Sequence, residues 1–308
     1  MNDYCAAIDF GTNTARLLIA QSSPAGIIPV RIEREVVRLG GGFTDEQGLS
    51  AEARERGLAC LRRFSALISE YGVKRLRASA TSAVRDAVNG PEFVATVLQE
   101  TGINLVVING DDEARLTLKG VLSALDSAGD TLAVLDVGGG STEFTVSAHG
   151  VPLFIKSMPL GVVRLTEGFP EPAEMMARVS SVLDQLETDL SLAGVAVSGG
   201  FELVGTAGTA TTIAAIKLEL DEYDYRKVNN FSVSRGDISE IFQRLSRLTP
   251  QERLSVKGME KGREDLIIAG LVITTSVMDR FGFGRLKISD FGLLEGLALS
   301  NDDPDELA

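Results

Sequence analysis

Asp9 and Asp136 each close an apolar run and open a glycine turn of the same plan. The first reads Ile8-Asp9-Phe10-Gly11-Thr12-Asn13-Thr14 and leads into Leu17-Leu18-Ile19. The second reads Leu135-Asp136-Val137-Gly138-Gly139-Gly140-Ser141-Thr142-Glu143 and leads into Phe144-Thr145-Val146. Setting Asp9 on Asp136 puts Gly11 on Gly138, Thr14 on Ser141 and Arg16 on Glu143. Each unit is predicted to be a buried strand, a tight turn and a returning strand. Glycine lets backbone N–H groups come close to an anion, and an aspartate beside them can hold a hydrated cation. Two such turns in matched contexts point to a duplicated fold that closes on a phosphorylated ligand between its halves.

Composition leaves room for that plan. At 308 residues and 44% hydrophobic content the chain is long enough for two cored domains. The charge of −13, from 43 acidic and 30 basic residues, argues against non-specific nucleic-acid binding, which needs a basic surface. No apolar run reaches the length of a membrane span and no signal sequence opens the chain, so cytoplasmic residence is the expectation. Cys5, placed just before the first strand, and Cys60, in a helical pattern, are expected to be buried thiols. No Cys/His cluster offers a zinc site. The single histidine, His149, precedes Gly150 in a predicted hairpin turn, which argues against a histidine triad or a phosphohistidine.

The elements that must position the turns follow from periodicity. Strands are predicted at 6–10, 15–21 and 27–37, then a helix capped by Ser50 with Leu58, Leu61, Phe64, Ile68 and Tyr71 on one face. Strands at 75–80 and 105–108 flank a helical region broken at Asn89-Gly90-Pro91. A helix over 112–125 leads towards the second lobe. There, strands at 132–136, 143–148 and 151–157 repeat the opening meander, and a long helix runs from Pro172 to about Leu192. A strand at 201–205 enters Thr206-Ala207-Gly208-Thr209 and a helix over 210–218. A buried helix at 265–281, a strand at 285–289 and a last helix at 293–299 complete the pattern. The acidic tail 301–308 is expected to fray.

Six ordered stretches resemble the exopolyphosphatase and guanosine pentaphosphate phosphohydrolase family. They are the two turns, Ala80-Thr81-Ser82-Ala83-Val84-Arg85-Asp86-Ala87-Val88-Asn89, Asn109-Gly110-Asp111-Asp112-Glu113-Ala114-Arg115-Leu116, Leu160-Gly161-Val162-Val163-Arg164-Leu165 and Ser289-Asp290-Phe291-Gly292-Leu293-Leu294-Glu295-Gly296. The resemblance spans nearly the whole chain and fits the short form that lacks a C-terminal helical domain. It implies an α/β fold of two ribonuclease-H-like lobes, as in the actin-like, sugar-kinase and heat-shock-70 ATPase superfamily. The lobes are expected at 1–118, joined by the C-terminal helix at about 296–308, and at 119–295. A small phosphorylated substrate, a cytoplasmic setting and a homodimer are the corresponding partner expectations, with no nucleic acid and no membrane.

The same resemblance implies roles. Glu113 stands in the place of the catalytic glutamate, as general base to a water that attacks a terminal phosphoanhydride; read alone, it is a helix-start carboxylate favoured by the dipole. Glu143 would orient that water or hold the metal, and Arg85 would clamp the terminal phosphate with its planar fork, unless it pairs with Asp86 or Asp112. Asp9, Asp136 and Glu143 are the expected Mg²⁺ ligands, the two aspartates being costly at buried strand ends without a partner. Thr12, Asn13, Gly138, Gly139, Gly140, Ser141, Gly208 and Thr209 are the expected phosphate contacts.

The expected reaction is Mg²⁺-dependent release of orthophosphate from the end of polyphosphate. Guanosine pentaphosphate is the alternative main substrate, and a non-enzymatic nucleotide-sensing actin-like protein is the rival reading. Two departures stand out: Leu294 replaces an arginine usual in the closing motif, and Asn229-Asn230 stands where many relatives place His-Gly.

Overall fold

The computed structural model describes residues 4–23, 26–127, 129–198 and 200–300; the acidic tail lies outside them. The chain divides into two compact units, Met1–Gly120 with Gly292–Ala308, and Val121–Phe291.

The first unit is built in the order β1 (Tyr4–Phe10), β2 (Thr14–Ser23), β3 (Gly26–Val36), α1 (Ala51–Glu70), β4 (Arg75–Ala80), α2 (Ser82–Asp86), α3 (Gly90–Thr101), β5 (Leu105–Val107) and α4 (Gly110–Leu122). Its sheet runs β3-β2-β1-β4-β5. The meander pairs antiparallel and β4 and β5 join parallel to β1. Strand β1 is apolar at every position from Cys5 to Ile8 because both its faces are covered. Ala6, Ile8 and Phe10 pack with Leu58, Leu61 and Phe64 of α1. Cys5 and Ala7 turn the other way, onto a layer with Leu293, Leu294 and Leu297. Cys5 therefore lies inside the strand, one residue beyond its start, and not ahead of it. Cys60 is fully buried in α1, and burial pushes its thiol up to about 12, which makes it inert.

The second unit continues with β6 (Thr131–Val137), β7 (Thr142–Ala148), β8 (Val151–Met158), α5 (Val162–Gly168), α6 (Pro172–Leu192), β9 (Glu202–Thr206), α7 (Ala207–Lys217), α8 (Tyr225–Val228), β10 (Ser232–Ser234), α9 (Arg235–Ser246), α10 (Pro250–Arg253), α11 (Ile267–Phe281) and β11 (Arg285–Ile288). Its sheet runs β8-β7-β6-β9-β11-β10, which is the first unit's meander-then-parallel order with β10 added antiparallel at one edge. This is the ribonuclease-H-like topology expected, present twice. Leu135, Phe144 and Val146 share one core with α6 and with α11, a helix buried on most faces. The His149-Gly150 pair has left-handed φ at both residues, as a two-residue hairpin turn requires. Helices α5, α8, α9 and α10 and strand β10 were not anticipated. In α9 the signal was present, since Ser234 and Asp237 cap each other and Ile238, Ile241 and Leu245 form one face.

The last helix, α12 (Leu293–Leu299), belongs to the first unit. It crosses α4 backbone to backbone: a Cβ on Gly120 would lie 2.0 Å from the Gly292 carbonyl oxygen, and one on Gly296 would lie 1.9 Å from that of Leu116. Leu294 fills the apolar layer at 1% exposure, so a buried methyl-rich side chain occupies the place of the usual arginine. Among the described residues no helix is long and apolar enough to cross a membrane.

Candidate active site

The first glycine turn is closed by the Gly11 N–H donating to the Thr14 carbonyl at 3.1 Å. Its other carbonyls are held from the segment after β3: Thr12 O accepts from the Gly40 N–H at 2.9 Å, and Asn13 O accepts from the Val37 and Arg38 N–H groups at 3.0 and 2.9 Å. Thr12 and Asn13 are both buried. The Thr12 hydroxyl bonds the Ser82 hydroxyl at 2.8 Å, tying the turn to the start of α2. The Asn13 Oδ1 atom is buried without a hydrogen-bond partner, an exceptional state for a side-chain oxygen.

Arg85 and Glu113 come together in this unit. Helix α4 starts at Gly110 because Asn109 caps it, its Oδ1 accepting from the Asp112 N–H at 2.9 Å. The cap places Glu113 in the first turn with only 8% exposure. The Arg85 Nη1 donates to Glu113 Oε2 at 3.3 Å and to the Ile108 carbonyl at 3.1 Å. Its Nε also lies 3.6 Å from Asp86, one of the two partners considered for it. Arg85 therefore serves the carboxylate and keeps a quarter of its side chain exposed. A buried glutamate held by an arginine is more than a dipole-favoured surface residue.

The second turn repeats the first and goes further. The Gly138 N–H donates to the Ser141 carbonyl at 3.0 Å, matching Gly11 and Thr14. The carbonyls of Gly138 and Gly139 accept from the Val162 and Val163 N–H groups at 2.9 and 2.8 Å. A Cβ on Gly161 would lie 2.3 Å from the Gly139 carbonyl oxygen, so only glycine permits this approach.

The duplicated aspartates sit at equivalent registers with opposite neighbours. Asp9 pairs across to Arg16, whose Nε and Nη2 both reach Asp9 Oδ2, at 3.2 and 3.1 Å. Asp9 is thus not the partnerless carboxylate that its position implied. Asp136 pairs across to Glu143, and the two are 8% and 2% exposed. Glu143 in turn accepts from the Ser157 hydroxyl at 2.7 Å from the next strand. Two acidic side chains directly opposite in a buried sheet repel unless a proton or a cation lies with them. This pair of hard oxygen donors fits magnesium, which is usually held by one or two carboxylates with water and phosphate oxygens filling the rest of its shell. Among the described residues no group of three His, Cys, Asp or Glu side chains could hold an ion unaided.

The third turn, at the start of α7, carries a residue the sequence did not announce. The Arg263 guanidinium lies against Gly208, within 2 Å of where a Cβ would stand, and its Nε donates to Glu260 at 2.7 Å. Thr209 packs its side chain against Gly270 of α11. No local pattern links Arg263 to Gly208; the fold alone brings them together. Asn229 and Asn230 both donate to the Ala124 carbonyl, at 3.0 and 2.9 Å. Asn230 has φ +65°, the conformation for which glycine is the ordinary choice.

The Ppx/GppA phosphatase family model matches residues 18–303. The chain is 34% identical to Exopolyphosphatase 2 of Mycobacterium tuberculosis, over 96% of this chain and 97% of that protein. It is 33% identical to the Bifunctional 3-dehydroquinate synthase/phosphatase of Fusobacterium nucleatum, over 96% of this chain, and spans about half (46%) of that protein. The structure of the Aquifex aeolicus PPX-GPPA enzyme superposes with a TM-score of 0.79 at 31% identity, covering 97% of this chain and all of that one. The chain belongs to the Ppx/GppA phosphatase family, a family of hydrolases.

Proposed function

We propose that this protein hydrolyses the terminal phosphoanhydride of inorganic polyphosphate and releases orthophosphate, with guanosine pentaphosphate as a second substrate of the same chemistry. The observation that carries the reading is the second turn, where a run of glycine amides stands beside the buried Asp136–Glu143 pair. A terminal phosphate needs both kinds of group, amide donors for its oxygens and carboxylates for its counter-cation. Glu113 takes the proton of the attacking water, and the bond from the terminal phosphorus to the bridging oxygen breaks as the shortened chain leaves. Arg85 orients the Glu113 carboxylate and offers its remaining donors to phosphate oxygens. Asp136 and Glu143 would hold magnesium, which when bound supplies charge to polarise the phosphoryl oxygens. In the second unit the backbone amides of Gly139, Gly140 and Ser141 receive phosphate oxygens, and Gly208 with Arg263 takes further ones; in the first unit Thr12 and Asn13 are the corresponding contacts.

Support for polyphosphate comes from the full-length similarity to a protein named as an exopolyphosphatase. Cytoplasmic residence and a homodimer complete the proposal as family expectations. Phosphate release from polyphosphate, guanosine pentaphosphate and ATP, assayed in parallel with magnesium, tests the reading. Polyphosphate is expected to be hydrolysed and ATP to be poor. Phosphate release from ATP alone would replace the reading with an ATPase, and binding of nucleotide without any release would replace it with a sensing role.

A further inference from the structure

Three consecutive peptides of the second turn have their carbonyl oxygens held by one short segment, Val162–Arg164. Gly138 O accepts from the Val162 N–H at 2.9 Å. Gly139 O accepts from the N–H groups of Val163 and Arg164, at 2.8 and 3.3 Å. Gly140 O accepts from a side chain, the Nε of Arg164, at 3.1 Å. In a trans peptide the C=O and the following N–H point in opposite directions. Anchoring these three carbonyls therefore turns the N–H groups of Gly139, Gly140 and Ser141 together to the opposite side, as an anion cradle requires.

The first unit shows what Arg164 replaces. There the carbonyl equivalent to Gly140 O is Asn13 O, and it is held by two backbone N–H groups, those of Val37 and Arg38. In both units the segment after the third strand grips the turn between the first two. In the second unit, α5 begins at Val162, and the last of the three carbonyls is reached by the arginine side chain instead.

We propose that Arg164 is a positioning residue for phosphate: it fixes the Gly140–Ser141 peptide so that the Ser141 N–H faces the bound phosphoryl group. This rests on the reading of the second turn as the phosphate cradle. Arg164 is exposed at the start of a short helix, and its removal leaves no hole in the core. Its role is thus separable from stability.

The test uses the full-length protein and the Arg164→Ala and Arg164→Lys variants. Orthophosphate binding is measured by calorimetry, hydrolysis by steady-state kinetics on polyphosphate, and folding by the melting temperature. Arg164→Ala is expected to weaken orthophosphate binding and lower kcat/KM by about ten-fold, the usual worth of a hydrogen bond to or from a charged group, at an unchanged melting temperature. Arg164→Lys is expected to recover part of both. Gly161→Ala, whose Cβ would press on Gly139 from 2.3 Å, should weaken phosphate binding in the same way without touching Arg164. Wild-type phosphate binding and kcat/KM in Arg164→Ala, or a loss that follows a lowered melting temperature, would overturn the inference. A wild-type protein that binds orthophosphate yet leaves polyphosphate intact would instead overturn the proposed function and leave the cradle standing.

Discussion

Arginine placement separates the two aspartates that the sequence shows as equivalents. Arg16 pairs with Asp9 within its own sheet, whereas the residue opposite Asp136 is the acidic Glu143. The alignment of the turns already carried this difference, because Arg16 and Glu143 occupy the same duplicated position. Its physical consequence needed the register. With Asp136 and Glu143 proposed to hold magnesium, Asp136→Asn is expected to raise the magnesium concentration for half-maximal rate several-fold. Full hydrolysis after exhaustive chelation would contradict that assignment. Arg85 makes a second residue-scale case. Its Nη1 holds Glu113 at 3.3 Å, so Arg85→Lys should lower kcat/KM by about ten-fold or more, since an ammonium cannot serve a carboxylate and phosphate oxygens from one plane. Unchanged kinetics in Arg85→Lys and Arg85→Ala alike would return Arg85 to the role of a surface residue paired with Asp86.

Elements were the most legible scale, because burial on both faces writes continuous apolar runs and one-sided burial writes helical stripes. Strand β4 and helix α12 have the bounds their patterns implied, and Ser50 caps α1 as its side chain predicted. What stayed hidden was contact made by backbone rather than by side chain. The grip of Val162–Arg164 on the second turn, and the crossing of α4 by α12 through Gly120 and Gly296, depend on glycines whose partners lie far along the chain. The Leu294 departure illustrates the same limit, since only the packed layer shows that a leucine there is core. Gly296→Ala is expected to destabilise the protein by roughly 1–3 kcal/mol, because its methyl would be driven onto the Leu116 carbonyl at 1.9 Å and α12 would have to shift. Chemical denaturation measures this, and a variant of wild-type stability would mean that the two helices are not held at that crossing.

Over the whole molecule, charge limits how a polyanion can be handled. The chain carries −13, and the cationic groups near the turns are few, with Arg16 already paired to Asp9 and Arg85 to Glu113. We therefore propose that a long polyphosphate is gripped only by its last few units. Digestion of long chains is expected to leave a ladder of intermediates on gels, and binding should weaken steeply as salt rises. Full-length chains beside free orthophosphate, with nothing between, would show a processive grip that this charge distribution does not supply. The duplicated topology was legible because the two turns share their aspartate and first glycine in step and their apolar runs fall in register; the placement of Arg263 against Gly208 was not, since only the fold brings those two together.

Glu113, proposed as the base of a phosphoanhydride hydrolysis, is probed by the Glu113→Gln variant. The amide keeps the size and polarity of the side chain in its buried place beside Arg85 but cannot take a proton. Orthophosphate release from polyphosphate should fall by about 10²–10⁴-fold with substrate binding and melting temperature retained. Turnover within a factor of about three of wild type would rule Glu113 out as the base, given the magnitude a positioned base contributes, and would move that role to Glu143.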